Sequence, residues 1–327
     1  MKTIGFGIIG CGDVTEKKSG PAFQKIEGSR LVAVMRRDPG KLRDYALRHN
    51  VGKYSTNYMD LLTDPEIDVI YIATPPNMHH FYTLEAARHG KHVYVEKPMA
   101  TTVLECREMM EACREYGVKL FVAYYRRGQE KFKRVKALAG EGAIGQVRSF
   151  QYTYISPMPA FQKDRAWLLS KKEAGGGLLY DIGSHMVDTL QFILGEVAMA
   201  AGISANMSRA YDVNDVTSGF LRFSSGVQGA LQLSFHAAEA RDEGVLYGSE
   251  GSLRFSIMDM NPVVLTRGSQ TETIAFEPLE HVQMPYIRHV VRVLQGLEEG
   301  DITGLYGLRT QEILEAFEQS GSIHYPE

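Results

Sequence analysis

The sequence predicts an α/β protein of two domains: a doubly wound parallel sheet, then an α+β domain with a large, mostly antiparallel open sheet. Three observations support this. Short apolar runs alternate with helical patterns up to about residue 122, longer segments with a period of two follow, and the 327 residues exceed the size at which a single core usually stops growing. We therefore assign residues 1–122 to the first domain and residues 123–327 to the second.

The strands of the first domain are predicted from five apolar runs that are separated by segments with helical spacing. Such alternation is typical of parallel strands with helices on both faces of the sheet. The runs are TIGFGIIG, RLVAVM, VIYIATP, KHVYVEKP and KLFVAYY, and helices are predicted over residues 13–27, 39–50, 78–90 and 101–116.

The second domain is predicted from segments in which apolar and polar residues alternate, such as QVRSFQYTYI, SGFLRFSSGVQGALQLSFHA, GSLRFSIM and PVVLTR. This period indicates antiparallel strands with one face on a core and the other exposed or covered by a partner. One helical segment stands out, because EAGGGLLYDIGSHMVDTLQFILG carries apolar residues at helical intervals from Leu178 to Ile193.

Composition excludes several classes of partner. Lys and Arg number 36 against 39 Asp and Glu, with no basic stripe for a nucleic acid. No apolar run approaches the roughly 20 residues that span a bilayer, and the N-terminus enters a glycine turn instead of a signal peptide. We expect a cytoplasmic protein with a small-molecule partner. Cys11, Cys106 and Cys113 form no CxxC pair or disulfide framework and are predicted to be buried thiols.

The first candidate site is the turn in IGFGIIGCGDVTEK. Gly10 and Gly12 follow an apolar strand and precede a helix, where glycines let a dinucleotide pyrophosphate approach the backbone of the turn, here including Asp13 and Val14. A tight turn without a ligand uses the same glycines, and Thr15 stands where the fingerprint has Gly or Ala. The position as first βα turn of a parallel sheet favours nucleotide binding.

The end of the second strand bears on which dinucleotide binds. An acidic residue there accepts a hydrogen bond from the ribose of NAD, whereas arginine accommodates the 2′-phosphate of NADP. The segment VMRRD has Arg36 and Arg37 in that place and Asp38 after them. NADP(H) is favoured, and NAD(H) remains possible if Asp38 turns toward the ribose.

The third strand runs into ATPPNMHH. Thr74 and Pro75 shape its exit, and Asn77 and His80 supply polar groups where the nicotinamide ribose of a bound cofactor would lie. His80 serves equally well as a helix-capping residue, and we expect His79 to be a surface side chain.

The fourth strand ends in KHVYVEKPMAT, which brings Glu96 and Lys97 to the same carboxyl edge of the sheet. Pro98 biases Lys97 toward an extended backbone and so directs its ammonium. The alternative is a surface ion pair between Glu96 and Lys97, which would stabilise little.

In the second domain, Asp181, His185 and Asp188 are spaced four and three residues apart and therefore share a helix face. Two carboxylates and an imidazole can bind a sugar hydroxyl and move its proton. We expect no metal, since the sequence has neither HExxH nor a His/Cys cluster. An ordinary polar helix surface is the alternative.

The glycine turn, EKP after the fourth strand and GGGLLYDIGSHMVD together resemble, over essentially the whole chain, the glucose-fructose oxidoreductase, inositol dehydrogenase and rhizopine-catabolism family of NAD(P)-dependent oxidoreductases. The resemblance implies a Rossmann domain and a large open sheet that is often buried against a second subunit, hence a homodimer or homotetramer. It also implies that Lys97, Asp181 and His185 are catalytic, and VMRRD is similar to the NADPH-using branch, which includes anhydrofructose reductases.

The implied reaction is hydride transfer between a nicotinamide and a carbinol or carbonyl carbon of a sugar, polyol or sugar derivative. A group within about 3 Å of the substrate oxygen must exchange its proton. We favour His185 in this role, with Asp181 orienting it and Lys97 polarising the oxygen, and the reverse assignment of Lys97 and His185 stays open. Candidate substrate contacts are Tyr124, Arg126, Arg127 and Trp167, the last with an equal claim to be a core residue.

Two other functions stay possible. Some relatives hold NAD tightly and hydrolyse glycosides through transient oxidation at C3, for which Tyr180 could be recruited. Others have lost catalysis and act as dinucleotide-binding regulators, which the intact Lys97, Asp181 and His185 disfavour.

Overall fold

The computed structural model describes residues 2–158 and 163–325. It divides into a first unit, Met1–Gly128 with Leu279–Leu308, and a second unit, Gln129–Pro278 with Arg309–Glu327. The single boundary predicted after residue 122 does not anticipate that the segment Leu279–Leu308 belongs to the first unit. The segment belongs there because its helix buries Tyr286, Ile287 and Val290 in the core of that unit.

The strands are β1 Ile4–Ile9, β2 Ser29–Met35, β3 Lys53–Ser55, β4 Val69–Ile72, β5 His92–Val95, β6 Leu120–Val122, β7 Val147–Ile155, β8 Val197–Ala205, β9 Val216–Phe223, β10 Gln228–Ser234, β11 Arg241–Gly248, β12 Ser252–Phe255, β13 Val263–Arg267, β14 Gln270–Ile274 and β15 Ser322–His324. The α-helices are α1 Asp13–Lys17, α2 Ala22–Lys25, α3 Pro39–Arg48, α4 Met59–Leu62, α5 His79–Arg88, α6 Val103–Glu115, α7 Glu130–Gly140, α8 Lys171–Ala174, α9 Ser184–Leu194, α10 Met284–Leu294 and α11 Leu305–Glu318. Short 3₁₀ segments cover Pro76–Met78, Tyr125–Gly128 and Lys163–Leu169.

The first unit contains a parallel six-stranded sheet in the order β3-β2-β1-β4-β5-β6. A buried cluster that includes Phe6 and Tyr71 covers one face, and another that includes Ile70 and Val93 covers the other. The prediction of a doubly wound parallel sheet is therefore confirmed. Strand β3 and helix α4 were not predicted from the sequence.

Two details of the predicted elements differ. The helix predicted over 13–27 is split into α1 and α2, because the intervening chain turns at Gly20, where a side chain would meet the Thr15 carbonyl oxygen at 2.2 Å. The prediction of a surface His79 is wrong: it is 0% exposed and begins the buried stripe of α5, which continues through Tyr82, Thr83 and Ala86.

The second unit contains a nine-stranded sheet in the order β14-β13-β12-β11-β7-β10-β9-β8-β15. Only the β7–β10 pair is parallel among the described pairings, which confirms the mostly antiparallel prediction. One face of the sheet packs on α7, α9 and α11 through a single apolar cluster. Phe317 of α11 fits there because Gly202 and Gly219, on β8 and β9, leave room for its ring.

The remaining global expectations concern cysteines and membranes. Cys11, Cys106 and Cys113 are buried and form no disulfide, as predicted. Among the residues that the structure describes, no helix has both the length and the apolar character needed to cross a bilayer.

Candidate active site

The turn after β1 contains two glycines, Gly10 and Gly12, that differ in backbone conformation and in the space around a Cβ. Gly10 has φ +92°, and a Cβ there would lie 2.9 Å from the Thr74 backbone nitrogen. At Gly12, by contrast, the nearest atom to an added Cβ is the Gly10 carbonyl oxygen at 3.7 Å, and φ is −133°, which any residue adopts. The protein itself therefore requires glycine at position 10 but not at position 12. The space beside Gly12 is suited to a group that approaches the backbone closely.

Thr15, at the third position of the fingerprint, is fully buried. Its hydroxyl donates to the Gly12 carbonyl oxygen at 2.8 Å, and its own carbonyl oxygen accepts from the Tyr45 hydroxyl at 3.0 Å. The hydroxyl therefore bonds within the turn itself, so threonine at this position is compatible with the turn.

The arginines after β2 differ in their surroundings. Arg36 is half-buried and donates from Nη1 to the Cys11 carbonyl oxygen at 3.1 Å, so its guanidinium lies against the glycine turn. Arg37 is exposed. The Asp38 carboxylate caps α3 by accepting from the Lys41 backbone N–H at 3.0 Å, and this bond is the main cause of the lowered pKa of Asp38.

The loop after β4 has an unsatisfied polar atom. The Thr74 hydroxyl oxygen is buried and has no hydrogen-bond partner within residues 2–158 and 163–325. Such a buried group carries a free-energy cost unless a ligand satisfies it. Pro75 is half-buried and Asn77 is exposed.

His79 connects this loop to the loop after β5. Its Nε2 lies 2.8 Å from the Thr74 carbonyl oxygen, and its Nδ1 lies 3.0 Å from the Pro98 carbonyl oxygen. Burial lowers the pKa of His79, and a neutral ring donates to one of these carbonyls at a time. His80, predicted as a cofactor contact or a helix-capping residue, has its Nε2 2.8 Å from a Glu108 carboxylate oxygen on α6.

Glu96 and Lys97 follow β5 at the carboxyl edge of the sheet, which was the predicted position. Lys97 is half-buried and precedes a cis proline, Pro98. Glu96 is only 7% exposed, and one of its carboxylate oxygens accepts from the Lys97 backbone N–H at 3.3 Å. The strand end is therefore not a solvated ion pair.

In the second unit, the predicted helix begins with one π-helical turn, Leu179–Gly183, which leads into α9. Such turns are rare in proteins, and those that occur often lie at functional sites. Asp181 lies in this turn and is half-exposed, while His185 and Asp188 on α9 are 4% and 1% exposed. Solvent exposure therefore differs among the three side chains, and Asp181 is the most accessible.

The glycines before this turn have structural reasons as well. Gly175 and Gly177 have φ of +62° and +57°, and a Cβ at Gly176 would overlap the Tyr180 ring at 2.2 Å. The glycine run therefore shapes the backbone that leads to Asp181.

The predicted substrate contacts fall in both units. In the first unit, Tyr124 and Arg126 are 2% and 5% exposed, and the Arg127 guanidinium lies 3.8 Å from the centre of the Tyr306 ring. In the second unit, Trp167 lies in a 3₁₀ segment and is half-buried.

Two groups with a place in this geometry were not found from the sequence. His79 could have been found, because positions 79, 82, 83, 86 and 87 form one helical stripe and only the first of the two histidines belongs to it. Gln283, whose amide reaches Glu96, gives no such signal, since it lies 187 residues away in the chain.

Comparison with known proteins identifies matches over most of the chain. Residues 4–124 match the GFO/IDH/MocA model described as an oxidoreductase family with an NAD-binding Rossmann fold. Residues 132–254 match the model of the GFO/IDH/MocA C-terminal domain.

Individual proteins give the same result. The chain is 38% identical to an oxidoreductase of Formosa agariphila, over 88% of this chain and 90% of the relative. It is 33% identical to the 1,5-anhydro-D-fructose reductase of Ensifer adhaerens, over 82% and 81% of the two chains. Among solved structures, the aldose-aldose oxidoreductase of Caulobacter crescentus complexed with glycerol superposes with a TM-score of 0.87 at 25% identity, covering 99% of this chain and 100% of that one.

Proposed function

Because this chain belongs to the GFO/IDH/MocA family of oxidoreductases with an NAD-binding Rossmann fold, we propose that it transfers a hydride between NADP(H) and a carbinol or carbonyl carbon of a sugar, polyol or sugar derivative. The first unit binds the dinucleotide in this proposal, and the second unit supplies substrate contacts and associates with another copy. The similarity to a 1,5-anhydro-D-fructose reductase supports a sugar derivative as substrate.

The described residues fit a dinucleotide. The open space beside Gly12 accepts the pyrophosphate, and the backbone N–H groups of Asp13 and Val14, at the start of α1, have no acceptor within the helix. The buried Thr74 hydroxyl offers a donor that none of the described residues satisfies. When bound, the nicotinamide would supply or accept the hydride; the chain contributes binding, orientation and proton transfer.

The preference for NADP(H) rests on the three residues after β2, and the capping role of Asp38 is the observation that carries it. Its carboxylate is already engaged by the Lys41 N–H at the start of α3, which disfavours a turn toward the ribose. Arg36 lies against the Cys11 carbonyl, where a guanidinium retains further N–H groups for a 2′-phosphate, and the exposed Arg37 follows it in the chain.

We assign proton transfer at the substrate oxygen to His185, orientation of the imidazole or of a neighbouring hydroxyl to Asp181, and polarisation of the oxygen to Lys97. The sequence pattern, EKP together with D-x-G-x-H, supports this assignment. The π-helical turn that carries Asp181 and the edge position of Lys97 are consistent with functional roles.

The decisive experiment is a fluorescence titration with NADPH and NADH on the purified protein. We expect tighter binding of NADPH in the wild type and loss or reversal of the preference in Arg36→Asp. Arg43→Asp is the control, because Arg43 is an exposed residue of α3 and the charge change is the same. Equal affinity for the two cofactors in the wild type would refute the preference.

The substrate class is tested separately, by nicotinamide absorbance with a panel that contains 1,5-anhydro-D-fructose, aldoses, inositols and glycerol. Turnover of one or more of these compounds is expected with NADP(H). Absence of turnover across the whole panel, with cofactor binding intact, would refute hydride transfer to sugars.

We also propose a homodimer or a dimer of dimers formed through the face of the nine-stranded sheet opposite α7, α9 and α11. Ala201, Phe220 and Ala230 are cross-strand neighbours on β8, β9 and β10. They lie on this face because side chains alternate along a strand and the adjacent residues Ala200, Leu221 and Leu231 point into the core. Ile203 on the same face is 64% exposed. Apolar side chains clustered on one exposed sheet face are typical of an interface.

A further inference from the structure

A buried polar network lies behind Lys97. One carboxylate oxygen of Glu96, Oε1, accepts from the Tyr71 hydroxyl at 2.5 Å and from the Gln283 amide nitrogen at 2.6 Å. The other, Oε2, accepts from the Lys97 backbone N–H at 3.3 Å. Glu96 thus connects the backbone of Lys97 to two side chains from other elements.

Gln283 is fixed at both ends of its amide. It is 0% exposed, and its Oε1 accepts from the Tyr94 hydroxyl at 3.0 Å while its amide nitrogen donates to Glu96. Turning the amide over would place its oxygen against the Glu96 carboxylate, so only one orientation satisfies both neighbours.

The Gln283 backbone is fixed as well. Its N–H donates to the Lys18 carbonyl oxygen at 3.1 Å, and its own carbonyl oxygen accepts from the backbone nitrogens of Tyr286 and Ile287 at the start of α10. The side chain therefore projects from a rigid helix start.

The two tyrosines act as donors in this network. Burial, followed by the neighbouring Glu96, raises the pKa of Tyr71 and of Tyr94 well above the ordinary value of 10. Both phenols keep their protons at any working pH, so Tyr71 donates to Glu96 and Tyr94 donates to Gln283.

A buried carboxylate is an expensive way to fill a core, since leaving water costs several kcal/mol unless hydrogen bonds compensate. An apolar side chain after β5 would avoid that cost. The network places this carboxylate directly before Lys97, where it holds the backbone from which the ammonium projects.

We propose that Gln283 is a positioning residue for Lys97, which it serves by holding the Glu96 carboxylate in the orientation that binds the Lys97 backbone; the inference rests on the proposed role of Lys97 at the substrate oxygen. Gln283 then contributes to catalysis without touching substrate or cofactor.

The test uses Gln283→Met, which keeps the length of the side chain and removes both hydrogen bonds. Gln311→Met is the matched control, because Gln311 is a glutamine on α11, 1% exposed, whose amide has no hydrogen-bond partner within the described chain. We expect kcat to fall about tenfold or more in Gln283→Met, with little change in KM or in NADPH affinity, since misplacing a catalytic group lowers the rate of the chemical step. In Gln311→Met we expect wild-type kcat. A folded Gln283→Met protein with the kcat of the wild type would overturn the proposal.

A double-mutant cycle tests the route through Glu96. Glu96→Gln keeps the shape of the side chain but removes its charge, and if Gln283 acts through Glu96 the effects of the two substitutions on kcat will be less than additive. Additive effects would show that Gln283 acts by another path and would overturn the proposal.

A measurement that needs no substrate separates this inference from the proposed function. After reductive ¹³C-methylation of the lysines, the Lys97 signal is assigned by its absence in Lys97→Arg. We expect it to shift or broaden in Gln283→Met while it keeps its wild-type position in Gln311→Met. An unmoved signal would contradict positioning by Gln283, whereas a moved signal in a protein that turns over no sugar would contradict only the proposed function.

Discussion

The two glycines of the first turn make opposite predictions when each is changed to alanine. At Gly12 the added Cβ has ordinary contact with one atom, the Gly10 carbonyl oxygen at 3.7 Å, and φ is −133°. At Gly10 it would overlap Thr74, at 2.8 Å from the side-chain Cγ2 and 2.9 Å from the backbone nitrogen, with φ +92°.

The expected free energies of unfolding follow from these distances. Gly12→Ala reduces the freedom of the unfolded chain, which stabilises by about 0.4–1 kcal/mol, and replaces glycine at the start of α1 by a poorer N-cap, which costs a similar amount. We expect a net change within about 1 kcal/mol of zero. Gly10→Ala combines an unfavourable φ with overlap against backbone, and should destabilise by roughly 2 kcal/mol or more.

Gly12→Ala, which should hardly change the free energy of unfolding, should weaken cofactor binding. In Gly12→Ala the methyl group occupies the space proposed for the pyrophosphate, so we expect NADPH affinity to fall at least about tenfold, which corresponds to about 1.4 kcal/mol. Urea unfolding measures the first quantity and fluorescence titration the second. Wild-type NADPH affinity in a folded Gly12→Ala protein would refute the assignment of this turn to the pyrophosphate.

Three further predictions concern Lys97, the sheet face and His79. Lys97→Met keeps the apolar stem and removes the charge, so kcat should fall about a hundredfold or more with NADPH affinity nearly unchanged; turnover near that of the wild type would refute a catalytic role for Lys97. Ile203→Asp should shift the protein toward monomer in light scattering, whereas Leu47→Asp, at a similarly exposed position of 66% on α3, should not; an unchanged oligomer in Ile203→Asp would exclude that part of the sheet from the interface. Because burial lowers the pKa of His79 below its ordinary value of 6.5, its neutral form stabilises the fold at pH above 6.5 and this contribution is lost as the pH falls. The wild type should therefore exceed His79→Leu in free energy of unfolding by about 1–3 kcal/mol near pH 8, because leucine has no donor for the carbonyl that the neutral ring satisfies, and the difference should shrink in acid; a difference that is constant with pH would show that His79 does not titrate in this way.

The sequence was sufficient for the fold because the pattern and the environment coincide there. Parallel strands buried on both faces are continuous apolar runs, and β1, β2, β4, β5 and β6 all read that way. Strand β3 is short and carries exposed residues such as Lys53 and Tyr54, so it has no apolar pattern to detect. Such an edge strand forms because a neighbouring strand, here β2, pairs with it, and its own composition does not reveal it.

The candidate site was predictable only where its residues lie at ends of strands or on one helix. Gly12, Arg36 and Lys97 each follow a predicted strand, and the carboxyl ends of parallel strands lie at the same edge of the sheet. Which of two adjacent histidines points inward follows from the stripe at positions 79, 82, 83, 86 and 87, a signal that the prediction of a surface His79 did not use. The capping role of Asp38 was likewise open until the Lys41 N–H was seen beside it.

The charged end of β5 shows why local sequence cannot settle such a site. From the sequence, Glu96 next to Lys97 resembles a pair that neutralises itself in solvent. In the structure Glu96 is buried, and the donors that make its burial tolerable are Tyr71 from β4 and Gln283 from a segment that follows the entire nine-stranded sheet except β15. The first unit is therefore completed by the chain after it has built most of the second. A truncated chain that ends near residue 128 would contain β5 and EKP but would leave the Glu96 carboxylate without the Gln283 amide and the first core without α10. If Glu96 positions Lys97 as proposed, that position depends on Gln283 from Leu279–Leu308 as well as on Met1–Gly128.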